Sequence, residues 1–295
     1  MPDATDHTAA RTDSHAHAPH ESERLLTREE TELVDDSLKL SARAVYSVIR
    51  REGEEELARP LKSLWWSGIA AGIGISTSVL AEGVLAAELE GFAYRELIQN
   101  LGYTVGFVIV ILARLQLFTE NTITPVLPVL ARASEGCFRR MLVLWGVVFA
   151  ANMVGTFLAA AFFLGGTVTP EHLAGMMSVS EHYAHAAGWD ALLRGIPAGF
   201  LVAVLVWMLP SSKGYELFVI MMITFLIAAG DFTHVVAGAV EVYMLILQGE
   251  LGIGAGIGTL IIPTLIGNVI GGTIIFTLLA YAQVQEEIDP DESPS

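Results

Sequence analysis

Leu117-Phe-Thr-Glu-Asn121 (LFTEN) and Gly230-Asp-Phe-Thr-His234 (GDFTH) place polar and ionisable residues inside two long apolar stretches. An ionisable side chain within a bilayer costs about 2.5–3.5 kcal/mol on insertion scales, so such a residue marks a pathway or a binding site. Each stretch carries a Phe-Thr pair, Phe118-Thr119 and Phe232-Thr233. Helices interrupted in matching halves of a chain point to a transporter's centre, where backbone released from the helix lines a polar route.

The surroundings of these breaks fit a membrane. Hydrophobic residues make up 53% of the chain, while the charged 16% crowd the first sixty positions and the last dozen. Apolar runs at 64–87, 98–117, 138–164, 191–209, 215–247 and 253–282 each approach the roughly twenty residues that a helix needs to cross the hydrocarbon core. The second run stops at Arg114-Leu-Gln116 and resumes in a short piece containing Pro125 and Pro128; the fifth is interrupted at Ala229-Gly230-Asp231. Ser67-Gly-Ile-Ala-Ala-Gly72 matches Arg194-Gly-Ile-Pro-Ala-Gly199, the Phe-Thr pairs match, and Asn152-Met-Val-Gly155 matches Asn268-Val-Ile-Gly271, all in the same order. The expected fold is an all-α membrane protein with six transmembrane helices in two inverted three-helix repeats. Helices 2 and 5 are broken, and the breaks meet near the bilayer centre as an hourglass pore within one subunit.

Residues 1–29 read as a disordered tail, with His15, His17 and His20 in a low-complexity setting that lacks a metal-site spacing. Residues 30–63 read as an amphipathic cytoplasmic helix carrying Lys39, Arg43, Arg50, Arg51, Arg59 and Lys62, residues 64–283 as the transporter domain, and 284–295 as an acidic tail. Residues 1–35 contain no apolar signal-peptide core, so the N-terminus is expected to stay in the mature protein. Basic residues at Arg132, Arg139, Arg140 and Lys213 place those loops on the side of the N-terminal helix. Both termini are therefore expected to be cytoplasmic, in a multi-pass protein of the inner (plasma) membrane. Many of the acidic side chains behind the formal charge of −16 lie in the two solvated tails, and so few Lys and Arg argue against a nucleic-acid partner. Cys137 alone cannot form an internal disulfide or a multi-thiolate site. The spans lack paired catalytic carboxylates, a Ser-His arrangement and an HExxH motif, so neither an enzyme nor a cofactor is expected.

At the breaks, His234 is the leading pore residue, because a neutral imidazole can enter an apolar channel and still exchange a proton. Thr119 can hold His234 or the substrate, and amide groups of the LFTEN loop near a half-helix start can attract an anion. Phe118 and Phe232 are candidates for apolar constrictions, with Thr233 beside His234. Asp231 is expected to cap the second half of helix 5 and also to interact with Arg114, a structural role rather than transport. Arg114 and Glu120 either pair with each other or face a vestibule. Glu82 and Glu241 read as helix-end or interface carboxylates, and His182 and His185 as residues of a solvated outer loop.

The segments ELARPLKSLWWSGIAAG (56–72), QLFTENT (116–122), LVWM (205–208) and GDFTHVVAG (230–238) resemble the formate/nitrite transporter family, in its YfdC-like branch. That resemblance implies an aquaporin-like fold assembled as a homopentamer, each protomer with its own pore for small monovalent anions, commonly moved with a proton. It assigns the loop Thr to Thr119 and the central His to His234. Thr233 and Gly238 stand where the better-known pattern has Glu and Asn, and Gly199 stands where an Asn is common. The expected function is transport of a small weak-acid anion, protonated directly or through water coupled to His234. The rival readings are a neutral-solute or water channel of the same fold, and a non-transporting scaffold or sensor using the N-terminal region.

Overall fold

The computed structural model describes Thr27, Glu30 and residues 39–132 and 134–287. The expected disordered tail apart from Thr27, the part of the expected amphipathic helix at 31–38 and most of the C-terminal acidic tail lie outside these residues. The chain divides into Met1–Lys39 and Leu40–Ser295. Within the first unit, Thr27 Oγ1 donates to Glu30 Oε2 at 2.8 Å. The second unit holds the six spans.

Helix α1, Ala42–Ala58, starts where Ser41 Oγ accepts from the amide of Ala44. The first span joins α2, Leu61–Ile75, to α3, Thr77–Glu88. Ser76 marks the join, its hydroxyl donating back to the Gly72 carbonyl at 2.7 Å, a contact that bends helices. The second span is α4, Arg95–Leu112, followed by the first break and the short α5, Val126–Ala131. Helix α6, Glu135–Phe162, forms the third span, with Ser134 Oγ accepting from Cys137 N. Helix α7, Pro170–Ala184, follows it. The fourth span is α8, Trp189–Met208; the fifth is α9, Glu216–Ala229, the second break and α10, Val235–Gln248. Gly249 ends α10 at φ 80°, a left-handed position that suits Gly. The sixth span, α11, is Ile253–Val284 and contains π-helical turns at Gly256–Ile261 and Ile270–Thr277.

Helix α7 corrects the sequence expectation of a solvated outer loop. Thr169 caps it through the amide of His172, and Pro170 occupies the first turn, a start signal that short polar stretches conceal. His182 and His185 are exposed, as expected, but the first is in the last turn of this helix and the second is its C-cap.

The packing is that of a membrane bundle. Trp66, Phe162, Phe218 and Leu279 on the outside are 63–68% exposed, whereas Thr119, Asn121, Asn152, Thr233, His234 and Asn268 are buried. A bilayer favours this distribution, because it solvates apolar side chains and leaves backbone and polar groups to satisfy one another inside. Two seams of small residues bring paired spans together. Gly72 faces Gly155 and the Asn152 backbone between α2 and α6, and Gly199 and Gly271 make the corresponding approach between α8 and α11.

Candidate functional site

Each break begins with the same backbone device. At the end of α4 the amide of Ala113 donates to Ile109 O, Arg114 N to Ile111 O and Leu115 N to Val110 O; at the end of α9, Gly230 N donates to Leu226 O, Asp231 N to Ala228 O and Phe232 N to Ile227 O. Arg114 and Asp231 both adopt the left-handed conformation, at φ 54° and 51°. The chain then turns back toward the middle of the bundle, where one Asn in each half receives it. Asn152 accepts from Phe118 N at 2.9 Å and donates to Gly68 O at 2.8 Å and Gln116 O at 2.9 Å. Asn268 accepts from Val235 N at 2.9 Å and donates to Gly195 O at 2.8 Å and Thr233 O at 2.9 Å. Four backbone groups released at the breaks are thus paired inside the bundle, and each Asn is tied to the helix beside it through Gly68 O or Gly195 O.

These bonds set a register in which Gln116 corresponds to Thr233, Leu117 to His234 and Phe118 to Val235. The repeat stands, but the two Phe-Thr pairs are not its equivalent positions; their likeness is three residues out of step. As a consequence the two breaks are alike in backbone and different in chemistry. One supplies Thr119 and the other His234.

Those two side chains meet. Thr119 Oγ1 lies 2.7 Å from His234 Nε2, and the residues are 0% and 1% exposed. His234 also caps α10, its Nδ1 accepting from Ala237 N at 3.2 Å. A nitrogen that accepts carries no hydrogen, so the neutral ring bears its hydrogen on Nε2 and donates to the Thr119 hydroxyl. The Thr119 hydrogen is left to point at a passing molecule. Phe107 lies edge-on to the imidazole with centroids 5.0 Å apart, and Tyr103 packs on Phe107 at 5.2 Å. Nothing in the sequence marks Phe107, one apolar residue among many in α4.

The other candidates are distributed around this centre. Phe118 is 3% exposed and makes edge contacts with Trp145 and Phe149. The Trp145 indole donates to Asn121 O at 2.8 Å and braces the same loop. Phe232 lines the cavity on the α7 side, with Thr233, whose hydroxyl donates to Ala191 O at 2.7 Å. The amides of Phe118 and of residues 120–124 have partners, because the loop coils into a tight turn at Glu120–Thr122 and uses them itself; within LFTEN the free N–H groups expected from the sequence reduce to those of Leu117 and Thr119. Asp231 does not cap α10, a position held by His234; its carboxylate instead lies 3.1 Å from His182 Nε2 and 4.0 Å from Arg194. Arg114 is bonded to neither Asp231 nor Glu120 and pairs with Glu52 of α1 at 3.0 Å.

A cavity of about 390 Å³ on the α7 side is lined by Glu82, Tyr103, Tyr183, Asp231, Phe232, Thr233 and Glu241, among others. Another, of about 730 Å³ on the α1 side, is lined by Glu52, Glu56, Arg114, Gln116, Leu117, Glu120 and Thr124, among others. Thr119, His234 and Phe107 line neither cavity and lie at the closed point adjoining both linings. Glu56 of α1 reaches under the first break, accepting from Thr124 Oγ1 at 2.6 Å and Gln116 Nε2 at 3.2 Å. Burial pushes its carboxyl above the ordinary value, against those two bonds, which favour the charged form. Tyr183 packs against Gly238 and lies 3.3 Å from Thr264 Oγ1. Its ring fills the space that a side chain at position 238 would take.

The chain is similar to known proteins in sequence and fold. Residues 43–282 match the family model described as formate/nitrite transporter. The chain is 40% identical to the inner membrane protein YfdC of Escherichia coli strain K12 over 91% of its own length and 87% of the relative's. It is 26% identical to the formate channel FocA of Haemophilus influenzae, covering 82% of this chain and 95% of that one. A solved pentameric formate channel with formate bound superposes with a TM-score of 0.64 at 20% identity, covering 76% of this chain and 98% of that one.

Proposed function

Because the chain belongs to the formate/nitrite transporter family, we propose that it carries a small monovalent weak acid across the membrane as the neutral molecule, past the Thr119–His234 pair. The observation that carries this reading is the 2.7 Å contact between Thr119 Oγ1 and His234 Nε2, buried where the two cavities end. An ion crossing there would lose its water in an apolar surrounding, a cost that protonation removes. The Thr119 hydroxyl, held as an acceptor by His234, is free to donate one hydrogen bond to an oxygen of the acid, fixing its path without charge.

The capping bond also supports one of the two proton routes over the other. A neutral imidazole whose Nδ1 is occupied by Ala237 N–H has only its Nε2 hydrogen, and surrendering that would leave an imidazolate. The proton therefore reaches the substrate from vestibule water or a vestibule group, and His234 orients the Thr119 donor. We extend the proposal to a homopentamer with a pore in each protomer, supported by the pentameric state of the related formate channel and by the apolar outer faces of the spans. Both termini are placed on the cytoplasmic side by the basic loops.

The test is uptake of labelled formate, nitrite, acetate and lactate by purified protein in liposomes, with and without an inward proton gradient, for the native chain and His234→Ala. Gradient-stimulated uptake of at least one acid, lost in the variant, is expected. Acid uptake unaffected by the gradient, or no acid uptake with water or neutral-solute flux intact, would overturn the reading.

A further inference from the structure

Glu82 on α3 and Glu241 on α10 are each 4% exposed, and both line the cavity on the α7 side. The Oε2 atom of each is fully buried with no hydrogen-bond partner. A buried carboxylate oxygen without a partner is costly, and two carboxylates at one cavity cost least when they share a proton. Glu241 stands two turns beyond His234 on the same helix, about 10 Å along the axis. Tyr103 borders the same cavity and leads through Phe107 to the imidazole. The pair therefore lies on the way from the α7-side mouth to the closed centre.

The other titratable groups of this cavity fall into two sets. Tyr103 from α4 and Tyr183 from α7 flank the route to the centre. Arg95, Glu96, His182, Arg194 and Asp231 complete the lining, and Asp231 engages both His182 and Arg194.

We propose that Glu82 and Glu241 are the proton-exchange site of this vestibule, binding the proton that travels with the acid. The proposal rests on the reading of transport as neutral acid. In the step, an O–H bond of one Glu carboxyl breaks and an O–H bond forms on the entering anion, which continues past Thr119 as the neutral acid. The carboxylate left behind takes a proton from hydronium in the water of the mouth. Exit through this side runs the exchange in reverse, the acid returning its proton to the pair.

The experiment uses full-length protein with Glu82→Gln/Glu241→Gln, which keeps side-chain size, and Glu82→Asp/Glu241→Asp, which keeps the carboxyls. Infrared difference spectra between acidic and alkaline media are recorded on samples that elute as the native protein does, and acid uptake is measured in liposomes. A carboxyl C=O band that titrates in the native protein, disappears in the Gln double variant and persists in the Asp double variant is expected. With it, gradient-stimulated uptake should fall in the Gln variant to the level seen without a gradient. A native band unchanged by the Gln substitutions, or gradient-stimulated uptake that survives them, would overturn the proposal. If the native protein takes up none of the acids, the transport reading fails while the infrared band still decides whether the pair binds a proton.

Discussion

At the scale of single residues, the centre is a hydroxyl held by an imidazole whose other nitrogen caps a helix. Thr119→Val keeps the shape of Thr119 and removes its hydrogen bonding. Uptake should fall by several-fold to about tenfold, the equivalent of a buried hydrogen bond of about 0.5–1.5 kcal/mol, and Thr119→Ser should restore most of it. A Val variant with native uptake would remove Thr119 from the pathway. Glu56 predicts a dependence on pH. Its folded pKa lies above the unfolded value of about 4.3, so its contribution to stability is full below that value and is lost as pH rises through the folded pKa. Glu56→Gln should therefore gain on the native protein as pH rises through that window, read as a narrowing or reversal of the difference in melting temperature. A difference constant with pH would contradict it. His234 and Thr119 were legible in the sequence because polar groups stand out in apolar runs. Phe107 was not, since an aromatic in an apolar helix carries no mark of what it touches. Glu82 and Glu241 were visible, but only burial with unpartnered oxygens separates them from helix-end carboxylates.

At the scale of elements, two Asn side chains bear the breaks. Asn268→Ala would leave Thr233 O and Val235 N without partners and take a second bond from Gly195 O, which lies inside α8, at about 1–3 kcal/mol for each buried group left unpaired. The variant should melt far below the native protein in detergent, whereas Thr156→Val should change little, because Thr156 Oγ1 only bonds back within its own helix. Equal melting of Asn268→Ala and native protein would refute the bracing role. The Asn-x-x-Gly repeat was legible, as were the six spans and their two interruptions. The Phe-Thr match was misleading because four identical letters reflect composition as readily as position. Register belongs to the hydrogen bonds, and the paired left-handed residues Arg114 and Asp231 reveal it only in the folded chain. Helix α7 escaped notice because its polar face looks like a loop when apolar spans dominate the chain.

At the scale of the second unit, two cavities lead to a centre at which no Lys or Arg side chain stands among the described residues. Charges sit at the turns that lead into the breaks: Arg114 is tied to Glu52 on one side, and Asp231 to His182 and Arg194 on the other. The proposed function has the solute arrive charged and cross this route uncharged. The proposed five-chain assembly is open to native mass spectrometry, where a pentamer is expected and a stable monomer or trimer would contradict it. The central claim is that no net charge crosses with the substrate. It is tested most directly by loading liposomes with potassium and measuring labelled acid uptake under a valinomycin potential alone, then under a proton gradient alone. The account predicts uptake that follows the proton gradient and ignores the potential in either polarity. Uptake that follows the potential would mean that the bare anion passes the Thr119–His234 pair, and would contradict it.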